Sequence, residues 1–181
     1  MLTGLVLAGG KSSRMGCDKA LLDYHGQSLL QHTSRLLADS GCQRVMISRN
    51  QLGFVQDLIK DAGPLGGIHA VLTHLQDDDE LLIVPVDMPF LQAAPLRLLC
   101  HQGRQRQSPC YFQDSFLPLY LPVNPALRDY LAELLENEGC GSVRQMLDQQ
   151  GALSIPCSEL NMLQNINTPA QWQHASAPRS A

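Results

Sequence analysis

Positive charge is scarce in this chain of 181 residues: 13 Lys and Arg stand against 17 Asp and Glu, a formal net charge of −4. Proteins grip polymeric nucleic acid mainly by neutralising its phosphates with Lys and Arg, so this balance excludes DNA and RNA as partners while leaving room for a local cationic site. No uninterrupted apolar run approaches the length that spans a bilayer, so no membrane association is expected. The opening MLTGLVLAGG has neither the basic leader nor the apolar core of a secretory signal, and the expected location is the cytoplasm. The six cysteines (Cys17, Cys42, Cys100, Cys110, Cys140 and Cys157) include no C-x-x-C pair and no histidine at zinc-finger spacing. They read as reduced, mostly buried thiols rather than as a metal centre or a disulfide framework. Repeats and low-complexity linkers are also missing. At this length one core suffices, and the expectation is a single domain over 1–175 followed by a disordered tail at 176–181.

What is present is an alternation of short apolar runs and amphipathic segments. GLVLA (4–8), RVMIS (44–48) and LLIVPV (81–86) read as buried parallel strands. Residues 27–40 place Leu29, Leu30, Thr33, Leu36 and Leu37 on one helical face. The apolar spacing of Leu52, Phe54, Val55, Leu58 and Ile59 predicts a short helix over 51–60, and a further helix is expected over 67–75. Beyond Asp87 come a helix at 93–101, strands at 110–112 and 116–121, helices at 125–138 and 142–149, a strand at 153–156 and a last helix capped by Thr168 and Pro169. Strand and helix alternation predicts an α/β fold whose first half is a right-handed parallel sheet. In such sheets ligands lie beyond the C-terminal strand ends, where the Gly9-Gly10 loop and Asp87 both fall.

The segment LVLAGGKSSRMGCDKALL (5–22) gathers Lys11, Arg14 and Lys19 into one glycine-containing loop after the first strand. Glycines let main-chain N–H groups approach closely, and cations beside them suit a polyphosphate. The spacing is neither that of a Walker A loop nor G-x-G-x-x-G, which weakens kinase and dinucleotide readings. DDDE (77–80) reads as a solvated acidic turn. His69 and His74 are five apart and do not share a helical face as metal-binding pairs do.

The whole string LAGGKSSRMGCDKALL resembles the signature of the molybdenum cofactor guanylyltransferase family. GPLGGI (63–68), PVDMPF (85–90) and NINTP (165–169) resemble three further elements of that family in the same order, so the resemblance runs from residue 5 to about 172. Gly9 falls where cytidylyl relatives commonly carry alanine. The resemblance implies a Rossmann-like three-layer nucleotidyltransferase fold with a mostly parallel central sheet and helices on both faces. It implies transfer of GMP from GTP to molybdopterin, or Mo-molybdopterin, with release of pyrophosphate and with Mg²⁺, or Mn²⁺, as cofactor. Molybdopterin-delivering proteins and molybdoenzyme chaperones are the protein partners it implies.

Carried over by motif, Leu7, Ala8, Gly9 and Gly10 contact the nucleotide through main chain, and Arg14 and Lys19 hold phosphate oxygens. Asp87 is the metal ligand and, with Arg14 and Lys19, makes up the catalytic set. Asp61 takes the place of an acidic nucleotide ligand ahead of GPLGG, although an ordinary turn aspartate fits there as well. Ser48 stands where the family often has a base-contacting asparagine, with Asn50 two residues on. Asn165 and Asn167 match a late pair on the pterin side, with turn asparagines as the alternative. A cytidylyl or sugar-phosphate nucleotidyltransferase would reuse the same loop. From another class, a non-catalytic GTP-binding accessory protein of molybdoenzyme maturation would keep the fold without the chemistry.

Overall fold

The computed structural model of the chain describes residues 1–9 and 18–177. Strand β1 (Leu2–Leu7) is buried on both faces, each covered by helices. It pairs in parallel with β4 (Arg44–Ser48), Leu7 standing opposite Ser48, and with β5 (Glu80–Pro85), Leu7 standing opposite Pro85. The three strands therefore end level, and their C-terminal ends form one floor. Strand β5 continues the sheet through an antiparallel pairing with β7 (Ser115–Pro122), which pairs antiparallel with β6 (Cys110–Phe112). Strand β8 (Leu153–Ile155) lies parallel to β6 at the far edge, giving the six-stranded order β4-β1-β5-β7-β6-β8.

Side-chain alternation divides the core into two layers, as a strand period of two requires. Val6, Leu82 and Val84 face one side, against Leu36 and Leu37 of α1 (Leu29–Asp39) and Leu96 and Leu99 of α3 (Ala93–Arg106). Leu5, Leu81 and Ile83 face the other, against α2 (Gly63–Leu72), α4 (Pro125–Glu138) and α5 (Val143–Gln149). The helices start where their capping chemistry dictates. Ser28 accepts from Gln31 N–H while Gln31 returns a bond to the Ser28 N–H, and Thr168 and Gln171 repeat that box before α6 (Pro169–Ser176). A two-stranded ribbon, β2 (Asp23–Tyr24) with β3 (Gln27–Ser28), turns through His25 and Gly26, both with positive φ.

Two expectations are corrected. Residues 51–60 form no helix: Gly53 turns the chain at φ 90°, and it returns so that Val55 N–H binds Ile47 O at 3.0 Å and Arg49 N–H binds Val55 O at 2.9 Å. This adds a parallel bridge at Ser48 and turns Leu52 and Leu58 out to solvent, at 95% and 62% exposure. The helix expected at 67–75 begins four residues earlier, because Pro64 is well suited to a first turn and the GPLGG segment is helical. Ser176 completes α6 and donates to Trp172 O at 2.9 Å, and residues 178–181 of the expected tail lie outside the described residues.

Candidate active site

The level ends of β1, β4 and β5 open onto a cleft of about 630 Å³, lined by main chain and side chains from six separate segments. The floor is set by main-chain bonds between strands: Ala8 N–H to Ser48 O at 2.9 Å and Val86 N–H to Leu7 O at 3.0 Å. Leu7, Ala8 and Gly9 are thus laid along the cleft, and among the described residues a Cβ built on Gly9 would meet nothing closer than 4.0 Å. Gly10 and Arg14, with Lys11 and Cys17, lie outside the described residues.

Where the chain resumes, Asp18 accepts the Ala20 N–H at 3.1 Å and so caps the 3₁₀ turn Lys19–Leu21. That turn aims Lys19 across the cleft. Its ammonium donates to Asp87 Oδ2 at 3.0 Å and to Asn167 Oδ1 at 2.6 Å, joining side chains 68 and 148 residues apart in the chain. The Lys19 and Asp87 side chains are 15% and 19% exposed, so the pair is largely withdrawn from screening by bulk water. Asp87 stands just past β5, and its own carbonyl accepts from Ile166 N–H at 2.8 Å, which ties the NINTP segment to the carboxylate. Asn167 is held in turn as its N–H donates to Gln171 Oε1 at 2.8 Å. Asn165 is exposed on the same loop; neither it nor Asn167 lines the cleft wall, and Asn167 reaches the cleft only through its bond to Lys19.

The cleft is also lined by Ser48, Asn50 and Asp61, three of the residues singled out in the sequence. Ser48 is buried, whereas Asn50 and Asp61 are exposed, Asp61 in a left-handed backbone with φ 59°. Asn50 clamps a residue that sequence reasoning missed: its Nδ2 donates to Asp57 Oδ2 at 2.9 Å, and Asp57 N–H donates to Asn50 Oδ1 at 2.8 Å. The last two glycines of GPLGG make this wall possible. A Cβ on Gly67 would lie 2.4 Å from Ser48 Oγ and 3.0 Å from Leu7 Cδ2, and one on Gly66 would lie 3.3 Å from Asp57 Cγ. Helix α2 can thus press against residues of the cleft only because it lacks side chains there.

Two more contributors escaped the sequence. Asp18 lines the cleft, and Arg49, 4% exposed directly after β4, donates to its carboxylate. The signal for Asp57 was its position two residues beyond Val55, the residue that rejoins the strand; reading 51–60 as a helix concealed it. Arg49 has no sequence signal, since a buried and a solvated arginine look alike in a composition.

Among the described residues no cluster of three or more His, Cys, Asp and Glu is arranged to hold a metal ion alone. A single cleft carboxylate is nonetheless a fitting donor for Mg²⁺, which prefers oxygen and completes its shell with waters and substrate phosphates. No helix among the described residues is long and apolar enough to cross a membrane.

A three-layer α/β sheet with a cationic turn facing a carboxylate across the strand ends defines a nucleotidyltransferase. Residues 4–153 match the family described as MobA-like NTP transferase domain, and the chain belongs to that family. A molybdenum cofactor guanylyltransferase of Xanthomonas euvesicatoria is 40% identical over 178 residues, covering 94% of this chain and 92% of the relative. A probable molybdenum cofactor guanylyltransferase of Synechococcus elongatus is 32% identical, covering 93% of this chain and 95% of its own length. The fold is similar to that of molybdopterin-guanine dinucleotide biosynthesis protein A from Archaeoglobus fulgidus, with a TM-score of 0.77, 23% identity and 96% of each chain covered.

Proposed function

We propose that this enzyme transfers GMP from GTP to molybdopterin, or to Mo-molybdopterin, giving the guanine dinucleotide cofactor and pyrophosphate in the cytoplasm. The observation that carries the reading is the meeting of Lys19, Asp87 and Asn167 at the mouth of one cleft. In the transfer, a terminal phosphate oxygen of the pterin forms a bond to the α-phosphorus of GTP. The bond from that phosphorus to the bridging oxygen breaks in line, and the electron pair leaves with pyrophosphate. The protein supplies position and charge rather than a nucleophile.

The main chain of Leu7, Ala8 and Gly9 lies along the nucleotide, and the Lys19 ammonium exchanges its carboxylate partner for phosphate oxygens when substrate enters. Arg14 and Gly10 complete the phosphate grip on the strength of the signature. Asp87 would hold Mg²⁺, or Mn²⁺, which when bound supplies charge neutralisation on the triphosphate. Asn167, already bonded to Lys19, faces the acceptor side with Asn165 two residues before it. At the base end, a carboxylate accepts what guanine offers there, the N1–H and N2–H donors. Asp57 clamped by Asn50, with Asp61 and Ser48, provides that wall. Proteins that deliver molybdopterin or receive the product for molybdoenzymes are the partners this reaction needs.

The test is a reconstituted assay with molybdopterin and each of GTP, CTP, ATP and UTP, following pyrophosphate release and dinucleotide formation. GTP-selective transfer is expected. Preference for CTP would move the enzyme to a cytidylyl reaction, and GTP binding without transfer to any acceptor would make it an accessory protein.

A further inference from the structure

Behind the cleft wall lies an ion pair that the transfer reaction, as written above, does not use. Arg49 follows β4 and is almost wholly buried, its N–H bound to Val55 O at 2.9 Å and its guanidinium carbon 5.6 Å from the centre of the Phe54 ring. Burial of a guanidinium is costly unless a counter-charge meets it. Its Nη2 donates to Asp18 Oδ2, while the other oxygen of that carboxylate caps the turn bearing Lys19. Asp18, with its side chain 37% exposed, faces the cleft; Arg49 does not line it.

A carboxylate at this point has the wrong sign for a cleft that receives a triphosphate. Left alone, it would repel the phosphates and compete with them for Lys19, one residue away. We infer that Arg49 is a positioning residue for nucleotide binding: it neutralises Asp18 from beneath and fixes its carboxylate, so that the Lys19 turn is aimed without presenting net negative charge to the phosphates. Lysine is a poorer substitute, because the guanidinium is planar, lies over the Phe54 ring and reaches Asp18 while remaining buried. The inference rests on the reading of the cleft as a triphosphate site.

The experiment compares wild type, Arg49→Met, Arg49→Lys, Asp18→Asn and the Arg49→Met/Asp18→Asn double variant. Affinity for inorganic tripolyphosphate and for GTP is read by calorimetry, with thermal melts alongside. Arg49→Met should weaken both ligands by about tenfold or more, since one member of a paired charge is left uncompensated. Removing the exposed charge as well should restore tripolyphosphate affinity in the double variant to within about threefold of wild type, even if its melting temperature stays low. A purely structural arginine would give no such recovery. Arg49→Lys should fall between wild type and Arg49→Met. Should Arg49→Met fail to fold, Asp18→Asn alone decides: it should bind tripolyphosphate at least as tightly as wild type while slowing transfer. Wild-type affinity in Arg49→Met, no recovery in the double variant, or weakened tripolyphosphate binding in Asp18→Asn would overturn the inference. A wild-type protein that binds neither ligand would instead overturn the proposed function.

Discussion

Replacing Asp87 by asparagine should have opposite effects on nucleotide binding and on turnover, because without ligand Asp87 is the counter-ion of the lysine that phosphate needs. The pair is 3.0 Å long with both side chains mostly shielded, which places its strength at the upper end of what exposed pairs contribute, about 1 kcal/mol. Incoming phosphate must displace that carboxylate from Lys19. With chelator present and no divalent ion, Asp87→Asn should therefore bind GTP about fivefold more tightly than wild type, the factor that corresponds to that energy. With Mg²⁺ present the order should reverse, since the variant lacks the anionic oxygen that Mg²⁺ prefers, and transfer should drop by about a thousandfold or more. Calorimetric titration of GTP in chelator and in Mg²⁺, with pyrophosphate release measured in parallel, reads all three quantities. If the variant bound GTP more weakly in chelator, or kept turnover within about tenfold of wild type, the exchange of partners argued from the Lys19 contact would be wrong.

Gly67→Ala should destabilise the fold by about 1–3 kcal/mol, because the new Cβ would overlap Ser48 Oγ at 2.4 Å; adding Ser48→Ala should recover part of the loss in a denaturant melt. His32 is held below its ordinary 6.5 by burial, with repulsion from His25 and Arg35 adding to this and its bond to Pro89 O opposing it. The unfolded chain therefore takes up that proton first as pH falls, so the stability His32 contributes is complete above about pH 6.5 and declines as pH drops toward its folded value; thermal melts from about pH 7 to about pH 5 should show the decline, and His32→Asn should flatten it. Arg128 donates to the carbonyls of Leu72 and Leu75 and, at 2.9 Å, to Asp77, closing the end of α2 remote from the cleft. Arg128→Met should cost about 1–3 kcal/mol in a urea titration with unchanged GTP affinity; a loss of affinity would show that the α2 terminus is coupled to the site.

The parallel half of the sheet was legible because GLVLA and LLIVPV are apolar without alternation, as strands covered on both faces must be. The antiparallel entry of β7 was not, since FLPLYL carries no sign of direction. Residues 51–60 mimic a helix in spacing, yet Leu52 and Leu58 face water, for periodicity cannot register the left-handed turn at Gly53. That error also concealed Asp57, whose place in the cleft depends on the chain returning to β4 at Val55. Lys19, Asp87 and Asn167 stand in recognisable motifs, and their contact follows from the level strand ends and the bond between Ile166 and Asp87. Arg49 needed coordinates: its importance lies in burial and in a partner 31 residues away.

The charges of the cleft sort by position rather than by sum. Among the described lining residues, Asp18, Asp57, Asp61 and Asp87 outnumber the one cation, Lys19, which taken alone would make a poor site for an anion. Partners decide what these carboxylates present: Arg49 cancels Asp18, Lys19 meets Asp87, and the neutral Asn50 orients Asp57 without removing its charge. Acidity is therefore left at the proposed base end and balanced at the proposed phosphate end. A purine with adjacent N–H donors suits the first end and a polyphosphate the second. A cytosine, which offers an acceptor beside its amino group, would set a lone pair against the same carboxylate. On the proposed function, discrimination among nucleotides is asked of Asp57 and Asn50 and any triphosphate is served by Lys19 and Asp87, so base choice and transfer should separate cleanly under mutation.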